Sequence, residues 1–398
     1  RPEGWRKEKL INCGSFREGY VNPSQSKPEY FGGEIKWLRA NDLNNSFVYD
    51  TSRKITILGL KSAGKSAILF EPDTIAISKS GTIGRLGIIK DYMCANRAII
   101  NIKVHEAICS NSYIFYYLRS QNNALGELAA GSVQKNLYIP ILGQLELFLP
   151  PLDTQRRIAE ILSALDEKIE LNRQTNATLE AMAQAIFDEW FVRFNFPGDD
   201  GERVESELGP IPRGWRVEPL DKLASFLNGL PLQKYPAIEG EPDLPVIKIR
   251  ELKSGITDST DRANTCVPST FIVHDGDLIF SWSGSLEVDF WVGGDGALNQ
   301  HLFKVTSEIY PLWFCYLWIK NHLEEFRGIA ADKTTTMGHI QRHHLTDALC
   351  LVPGNFGQFD RLINPLIGTI IENKKEMATL AKIRDALLPK LMNGEIEV

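Results

Sequence analysis

Two short Ser/Gly segments hold the densest sets of residues able to grip a phosphate or read a base, SKSGTIGR (78–85) and SWSGSLE (281–287). Small residues let backbone N–H groups approach an anion, while Lys79, Arg85 and the hydroxyls of Ser80 and Thr82 can position or read a nucleic acid. In the second segment Ser281, Trp282, Ser283 and Ser285 stand in the corresponding places. Ser78, Ser80 and Gly81 align with Ser281, Ser283 and Gly284 at a constant offset of 203 residues. Asn96, followed by Arg97, aligns at that same offset with Asn299, followed by Gln300. An ordinary glycine turn between strands has the same composition, and duplication would copy a structural turn as readily as a functional one. Further along, GSVQKNL (131–137) and KTTTMGHIQRHH (333–344) occupy equivalent places. Gln134, Lys135 and Asn136 in the first, and Thr335, His339, Gln341 and Arg342 in the second, are hydroxyl, amide and basic side chains suited to base edges. Lys36, Arg39 and Asn41, around WLRANDL (37–43), and Lys248 and Arg250, in VIKIREL (246–252), complete the candidate DNA contacts.

Other constellations lead elsewhere. GLKSAGKS (Gly59 to Ser66) matches the phosphate-binding pattern G-x-x-x-x-G-K-S. A working phosphate loop opens a sustained helix, and only AILFE separates Ser66 from Pro72, so this match is expected to be a decoy. His339, His343 and His344 lack a Cys or carboxylate set at ligand spacing, and no metal is expected. No Asn-Pro-Pro-aromatic or Asp-Pro-Pro-aromatic loop for base methylation occurs, nor a glycine-rich cofactor strand. Pro72-Asp73 lacks the acidic partner a PD…(D/E)xK nuclease needs, and Asp166-Glu167-Lys168 reads as a solvated helix face. No catalytic residue is expected. The alternatives are a P-loop nucleotide-binding protein using Gly59–Ser66 and a coiled-coil scaffold with no DNA role.

The elements that must position these loops are organised by residues 153–194. Ile158, Leu162, Leu165, Ile169, Asn172, Asn176, Leu179, Ala183, Ile186 and Trp190 recur in alternating steps of four and three, the spacing of a coiled-coil seam. The pattern returns 201 residues later through Phe359, Ile363, Leu366, Ile370, Asn373, Met377, Leu380, Arg384, Leu387 and Leu391. Asn172 falls on Asn373, so the two are expected to meet across the helix pair, and Leu165 to Leu179 to pack against Leu366 to Leu380. The openings Pro-Glu-Gly-Trp (2–5) and Pro-Arg-Gly-Trp (212–215) mark the start of each copy. A whole domain-plus-helix unit is thus duplicated. The expected boundaries are a first recognition domain over 1–152, a central helix over 153–195, and a polar linker over 196–211. A second domain over 212–352 and a C-terminal helix over 353–398 complete the chain. Short β-like runs mixed with short helices make each head α+β. The long helices would run antiparallel between the heads, related by pseudo-two-fold symmetry.

Charge is unevenly distributed. Residues 1–152 hold 19 Lys+Arg against 13 Asp+Glu (+6), 153–211 hold 6 against 13 (−7), and 212–353 hold 13 against 18 (−5). The first head is suited to phosphate and the first long helix to a protein partner. Six scattered cysteines without a CxxC pair suggest reduced thiols and a cytoplasmic protein. The longest apolar run, near PLWFCYLWI (311–319), is too short to span a bilayer.

The combination PPLDTQRRIAEILSALDEKIELN (150–172), LEAMAQAIFDEWF (179–191) and RDALLPKLMNGEI (384–396) resembles the specificity subunit of Type I restriction-modification systems. The resemblance extends over essentially the whole chain, tightest at the helices and looser in the heads. It implies two target-recognition domains, each reading one half of a bipartite double-stranded DNA sequence. It also implies a non-catalytic chain carrying two modification subunits that bind S-adenosylmethionine and methylate adenine, with restriction subunits using ATP and Mg²⁺. The two heads differ, so the target is expected to be asymmetric.

Overall fold

The computed structural model describes residues 4–128, 136–331 and 338–398. The chain divides into two compact units, Arg1–Glu170 with Leu380–Val398, and Leu171–Thr379. Within each, the globular part repeats one plan.

In the first unit, strand Arg6–Lys9 pairs antiparallel with Glu146–Leu149, tying the two ends of the head together. Gly14–Glu18, Ile99–Val104, Ile75–Ser78 and Leu86–Ile89 follow as neighbours in an antiparallel sheet, and Ser46–Val48 adds a parallel edge. IAIS (75–78) and LGII (86–89) are buried along their whole length, as continuous apolar runs covered on both faces should be. A smaller sheet joins Lys54–Ile55, Phe31–Leu38 and Met93–Ala95. In the second unit Arg216–Pro219 pairs with Leu349–Val352. The central sheet runs Ser225–Asn228, Leu302–Thr306, Leu278–Ser281 and Val288–Phe290, and a second sheet is built on Asp243–Ile247 and Gly296–Leu298. Gly4 and Gly214, the glycines of the two Pro-x-Gly-Trp openings, have φ of +87° and +83°, the left-handed conformation that favours glycine. The turn they make delivers Trp5 and Trp215 to the respective cores.

The long helices are Leu152–Phe187 and Gly357–Asn393. The first ends in a π-turn over Asp188–Val192, which stacks Phe187 on Phe191 at 5.0 Å between ring centroids. Both are therefore shorter than 153–195 and 353–398 suggested. The 196–211 stretch is more than a linker, since Arg203–Ser206 and Gly209–Pro212 form a hairpin. Ser206 Oγ donates to Gly209 O (2.6 Å), and Arg203 pairs with Asp199 at its base.

The compact units also divide inside the helices, away from the expected boundaries at 152/153 and 352/353. Each helix half buries its apolar stripe in a head as well as against the other helix. Ile158, Ala159 and Leu162 share a core with Leu388, Leu391, Met392 and the buried face of helix Asn111–Ser120. In the second unit Ala183, Phe187 and Phe191 share a core with Phe359, Ile363, Ile367, Ile370 and the aromatic face of helix Leu312–Ala331. In both units the pairing of the two helices is antiparallel.

The seam is more polar than its apolar periodicity indicated. Asn172 and Asn176 are buried, as is Ile370, whereas Leu165, Ile169, Leu179, Leu366, Met377 and Leu380 are only half-buried. Asn373 does not meet Asn172: its Nδ2 donates to Asn176 Oδ1 (2.8 Å), and Asn176 Nδ2 donates to Ile370 O (3.1 Å). Asn172 Nδ2 donates instead to Glu376 Oε2 (2.7 Å). The expected facing is displaced by one helical turn, so a Glu and a second Asn satisfy the two buried amides.

Asp166, read above as solvent-facing, is 1% exposed. Its carboxylate accepts from Tyr116 Oη (2.7 Å), Arg119 Nη1 (3.0 Å) and Arg384 Nη1 (2.6 Å). Asp385 completes the group at 2.8 Å from Arg384 Nε. Burial, reinforced by the neighbouring carboxylate, pushes the Tyr116 phenol up, which keeps it a donor. Five cysteines are buried and Cys266 is exposed, all as thiols. Among the described residues no helix is long and apolar enough to cross a membrane.

Candidate nucleic-acid interface

In each head three chain segments converge on the Ser/Gly loop. The first is the loop itself, closed by the serine that opens it. Ser78 Oγ donates to Thr82 O (2.5 Å) and accepts from Arg85 N (2.9 Å). Ser281 Oγ donates to Ser285 O (2.6 Å) and accepts from Glu287 N (3.1 Å). Both serines are fully buried, and each satisfies two backbone groups a tight loop would otherwise leave unpaired.

The second segment is the turn after Asn96 or Asn299. Each asparagine folds back on its own chain, Asn96 Oδ1 accepting from Ala98 N (3.1 Å) and Asn299 Oδ1 from His301 N (3.2 Å). The turn is pressed against a glycine. A Cβ on Gly19 would lie 2.3 Å from Asn96 O, and one on Gly229 2.2 Å from Asn299 O, so no larger residue fits either place. The third segment passes the far side of the loop, with Leu137 N donating to Lys79 O (2.9 Å) and Ile340 N to Trp282 O (3.0 Å).

The side chains on this frame divide into presented and engaged. Arg97 is exposed, its backbone N–H fixed by Asn22 Oδ1 (3.3 Å). Thr82 and Asn41 are exposed, and Ser80, Arg85 and Asn136 half-buried, beside or on the same loop cluster. Asn96 N donates to Leu38 O, so Arg39 leaves its strand next to this turn, with its guanidinium on Ser52 Oγ (2.7 Å) and over Trp37. Lys36 is directed to Tyr49 O (2.6 Å) and Asp91 (2.7 Å). Lys79 is held by Glu18 at 2.6 Å, its side chain only 12% exposed. In the second head Gln341 and Arg342 are exposed, and Trp282, Gln300 and His339 are half-buried. Trp282, His339, Gln341 and Arg342 join Asn228, Phe303 and Ile340 around a cleft of about 280 Å³. Gln134, Lys135 and Thr335 lie outside the described residues.

Several candidate contacts are corrected. Ser281, Ser283 and Asn299 are 0%, 3% and 4% exposed, and they hold the loop's shape where the sequence suggested DNA contacts. Ser283 Oγ lies 3.0 Å from His301 Nδ1. Ser285 is exposed and accepts from Lys253 Nζ (2.7 Å). Lys248 is paired with Asp261, and Arg250 with Glu251 and Ser259 O, so acidic residues of this head neutralise both of these candidates. Glu18, Asn22, Asn228 and His301 are members of the clusters that the sequence comparison passed over. For Glu18 and Asn228 the signal is the pair SFREG (15–19) and SFLNG (225–229), which the duplication repeats.

The phosphate-loop match dissolves in the structure. Gly59 sits inside the short helix Ile57–Lys61, a Cβ there would lie 2.5 Å from Tyr30 O, and Gly64–Ser66 form a single 3₁₀ turn. No helix begins at Ser66 to face an anion. Among the described residues no group of three or more His, Cys, Asp or Glu side chains is placed to hold a metal ion.

Comparison with known proteins agrees with this architecture. The family model described as "Type I restriction modification DNA specificity domain" matches residues 2–181. The MjaIX specificity subunit of a Type I restriction enzyme from Methanocaldococcus jannaschii is 28% identical, across 100% of this chain and 94% of the relative. Along its whole length this chain is similar to Type I restriction-modification specificity subunits. The EcoKI specificity subunit of Escherichia coli K12 is 24% identical over 78% of this chain and 67% of its own length. The crystal structure of the S subunit from M. genitalium shares the fold with a TM-score of 0.55 at 15% identity, covering 97% of this chain and 96% of that one.

The serine ties yield a direct expectation. Ser281→Ala leaves Glu287 N and Ser285 O without their buried partner, which costs roughly 1–3 kcal/mol. Ser285→Ala, at an exposed site, should stay within about 0.5 kcal/mol of wild type. Denaturant midpoints of the two variants, measured side by side, check the difference.

Proposed function

We propose that this chain is the non-catalytic, DNA-reading specificity subunit of a Type I complex, each head reading one half of an asymmetric bipartite target. The observation that carries the reading is the twice-built loop frame, held in both heads by the same serine, asparagine and glycine ties and different in the side chains it presents. A duplicated frame with unlike side chains suits two unlike half-sites, as paired DNA-binding domains read paired sites. The long helices fix the spacer between the half-sites and dock two methyltransferase subunits, which bring S-adenosylmethionine. Restriction subunits, where present, bring ATP and Mg²⁺. The charge of −7 over residues 153–211, from 6 basic and 13 acidic residues, favours a protein partner for the first helix over DNA.

The test is a head exchange. Replacing residues 212–352 with the corresponding head of a relative, in the chain assembled with its methyltransferase subunits, is expected to change one half of the methylated motif and leave the other intact. If both halves change together, or neither does, the one-head, one-half-site reading is wrong. Binding should also weaken steeply with salt, because backbone phosphates supply much of the affinity.

A further inference from the structure

The two loop clusters share their serine, asparagine and glycine ties, and at one equivalent pair of positions they differ sharply in side-chain chemistry. Glu18 and Asn228 end equivalent strands, opposite Ile100 and Phe303 respectively, and each is followed by the glycine packed on the asparagine turn. Lys79 and Trp282 each follow the buried loop-closing serine. Their backbones are held alike, Lys79 N to Ala98 O and Trp282 N to His301 O, with Leu137 N and Ile340 N on their carbonyls. On this common frame the side chains meet in both heads. In the first, Lys79 Nζ donates to Glu18 Oε2 (2.6 Å). In the second, Trp282 Nε1 donates to Asn228 Oδ1 (2.9 Å). One place in the fold thus holds an ammonium–carboxylate pair in one head and an indole–amide pair in the other.

The chemistry of the second pair is directional. Indole Nε1 is a donor only, so it fixes Asn228 with Oδ1 inward. The planar amide then points Nδ2 the other way, and Asn228 makes no further side-chain hydrogen bond among the described residues. Asn228 lines the 280 Å³ cleft with Trp282, Phe303, His339, Gln341 and Arg342, where an aromatic wall stands beside this donor. Arg342 is anchored over the Phe303 ring at 5.5 Å, with Nη2 donating to Phe226 O (3.3 Å).

We propose that this pair, Glu18–Lys79 in the first head and Asn228–Trp282 in the second, is a base-discriminating position of each recognition domain. In the second head Asn228 Nδ2 selects a base edge that offers an acceptor: purine N7, guanine O6 or thymine O4. The proposal rests on the reading that each head recognises one half-site. It also accounts for how an acidic head can read DNA, since its discriminating pair carries no charge.

The test is selection of randomised duplexes by the full-length chain assembled with its methyltransferase subunits. Asn228→Asp keeps the size and the acceptor for Trp282 Nε1 but replaces the outward donor with an acceptor. It is expected to shift preference at one base pair of one half-site by about tenfold, toward an amino-bearing cytosine or adenine edge. The other half-site should stay unchanged. Trp282→Phe keeps a ring and loses only the bond that orients the amide, and it should relax discrimination at the same base pair. This second variant decides the matter if the first does not fold. Wild-type discrimination at every base pair in the folded variants, whatever the loss of affinity, overturns the proposal. A wild-type complex that enriches no bipartite motif defeats the recognition reading itself, and the proposal with it.

Discussion

Replacing Asp166 with alanine is expected to destabilise the first unit by roughly 3–5 kcal/mol, the cost of breaking a buried ion pair by removing one partner. Asp166 is 1% exposed, and Arg119 and Arg384 are 12% and 11% exposed, so deleting the carboxylate strands two guanidinium groups and the Tyr116 hydroxyl in a nearly dry site. Asp385, itself largely exposed, can compensate only one side of the cluster. The network joins helix Asn111–Ser120 of the head to both long helices, so its loss should loosen all three together. The duplication supplies an internal control. At the equivalent places of the second unit stand Ile367 and Ala183, 3% and 0% exposed. An apolar solution therefore packs there already. Replacing Asp166, Arg119 and Arg384 together by apolar residues of similar volume should accordingly recover most of the stability lost by Asp166→Ala. Denaturant unfolding of the three proteins checks this: an unchanged midpoint in Asp166→Ala would mean the site is effectively solvated.

Asp166 also shows where sequence reading reaches its limit. The steps of four and three through the two long helices marked both helices and their repeat, because apolar periodicity is set by the backbone alone. Burial of a charge is not periodic. Asp166-Glu167-Lys168 has the composition of a wet face, and only Arg119, 47 residues earlier, and Arg384, 218 later, make it a core. The same distinction holds in the heads. The loops were found from Ser, Gly and Asn at a fixed offset. Which residues shape a loop and which are presented by it depends on hydrogen bonds across the fold. Ser281 and Asn299 recur because the loop needs their buried bonds, while Glu18 and Asn228, unlike each other in sequence, occupy one place. Helix ends were legible only to within about two turns, and the Asn176–Asn373 contact depended on a register no single helix encodes.

That register leads to the expected behaviour of the helices as a spacer. The compact units divide between Glu170 and Leu171 on one helix and between Thr379 and Leu380 on the other. Asp166 with Arg384 belongs to one unit, and Asn176 with Asn373 to the other. A heptad inserted at only one of these two places lengthens one strand of the pair. The two contacts cannot then both keep their register, and the variant is expected to lose stability and activity. A heptad inserted at both places preserves each unit's contacts and keeps the seam in phase. It lengthens the pair by about 10 Å at 1.5 Å per residue. With base pairs about 3.4 Å apart along the duplex, the gap between half-sites should grow by roughly three base pairs. Three base pairs also turn one half-site by about a third of a DNA turn, so the heads must rotate or the duplex must twist, and some activity should be lost. The readout is the methylated motif of the double-insertion protein, assembled with its methyltransferase subunits. The same two half-sites separated by a longer spacer would make the helices the ruler, whereas full activity at the original spacing would place the ruler elsewhere in the complex.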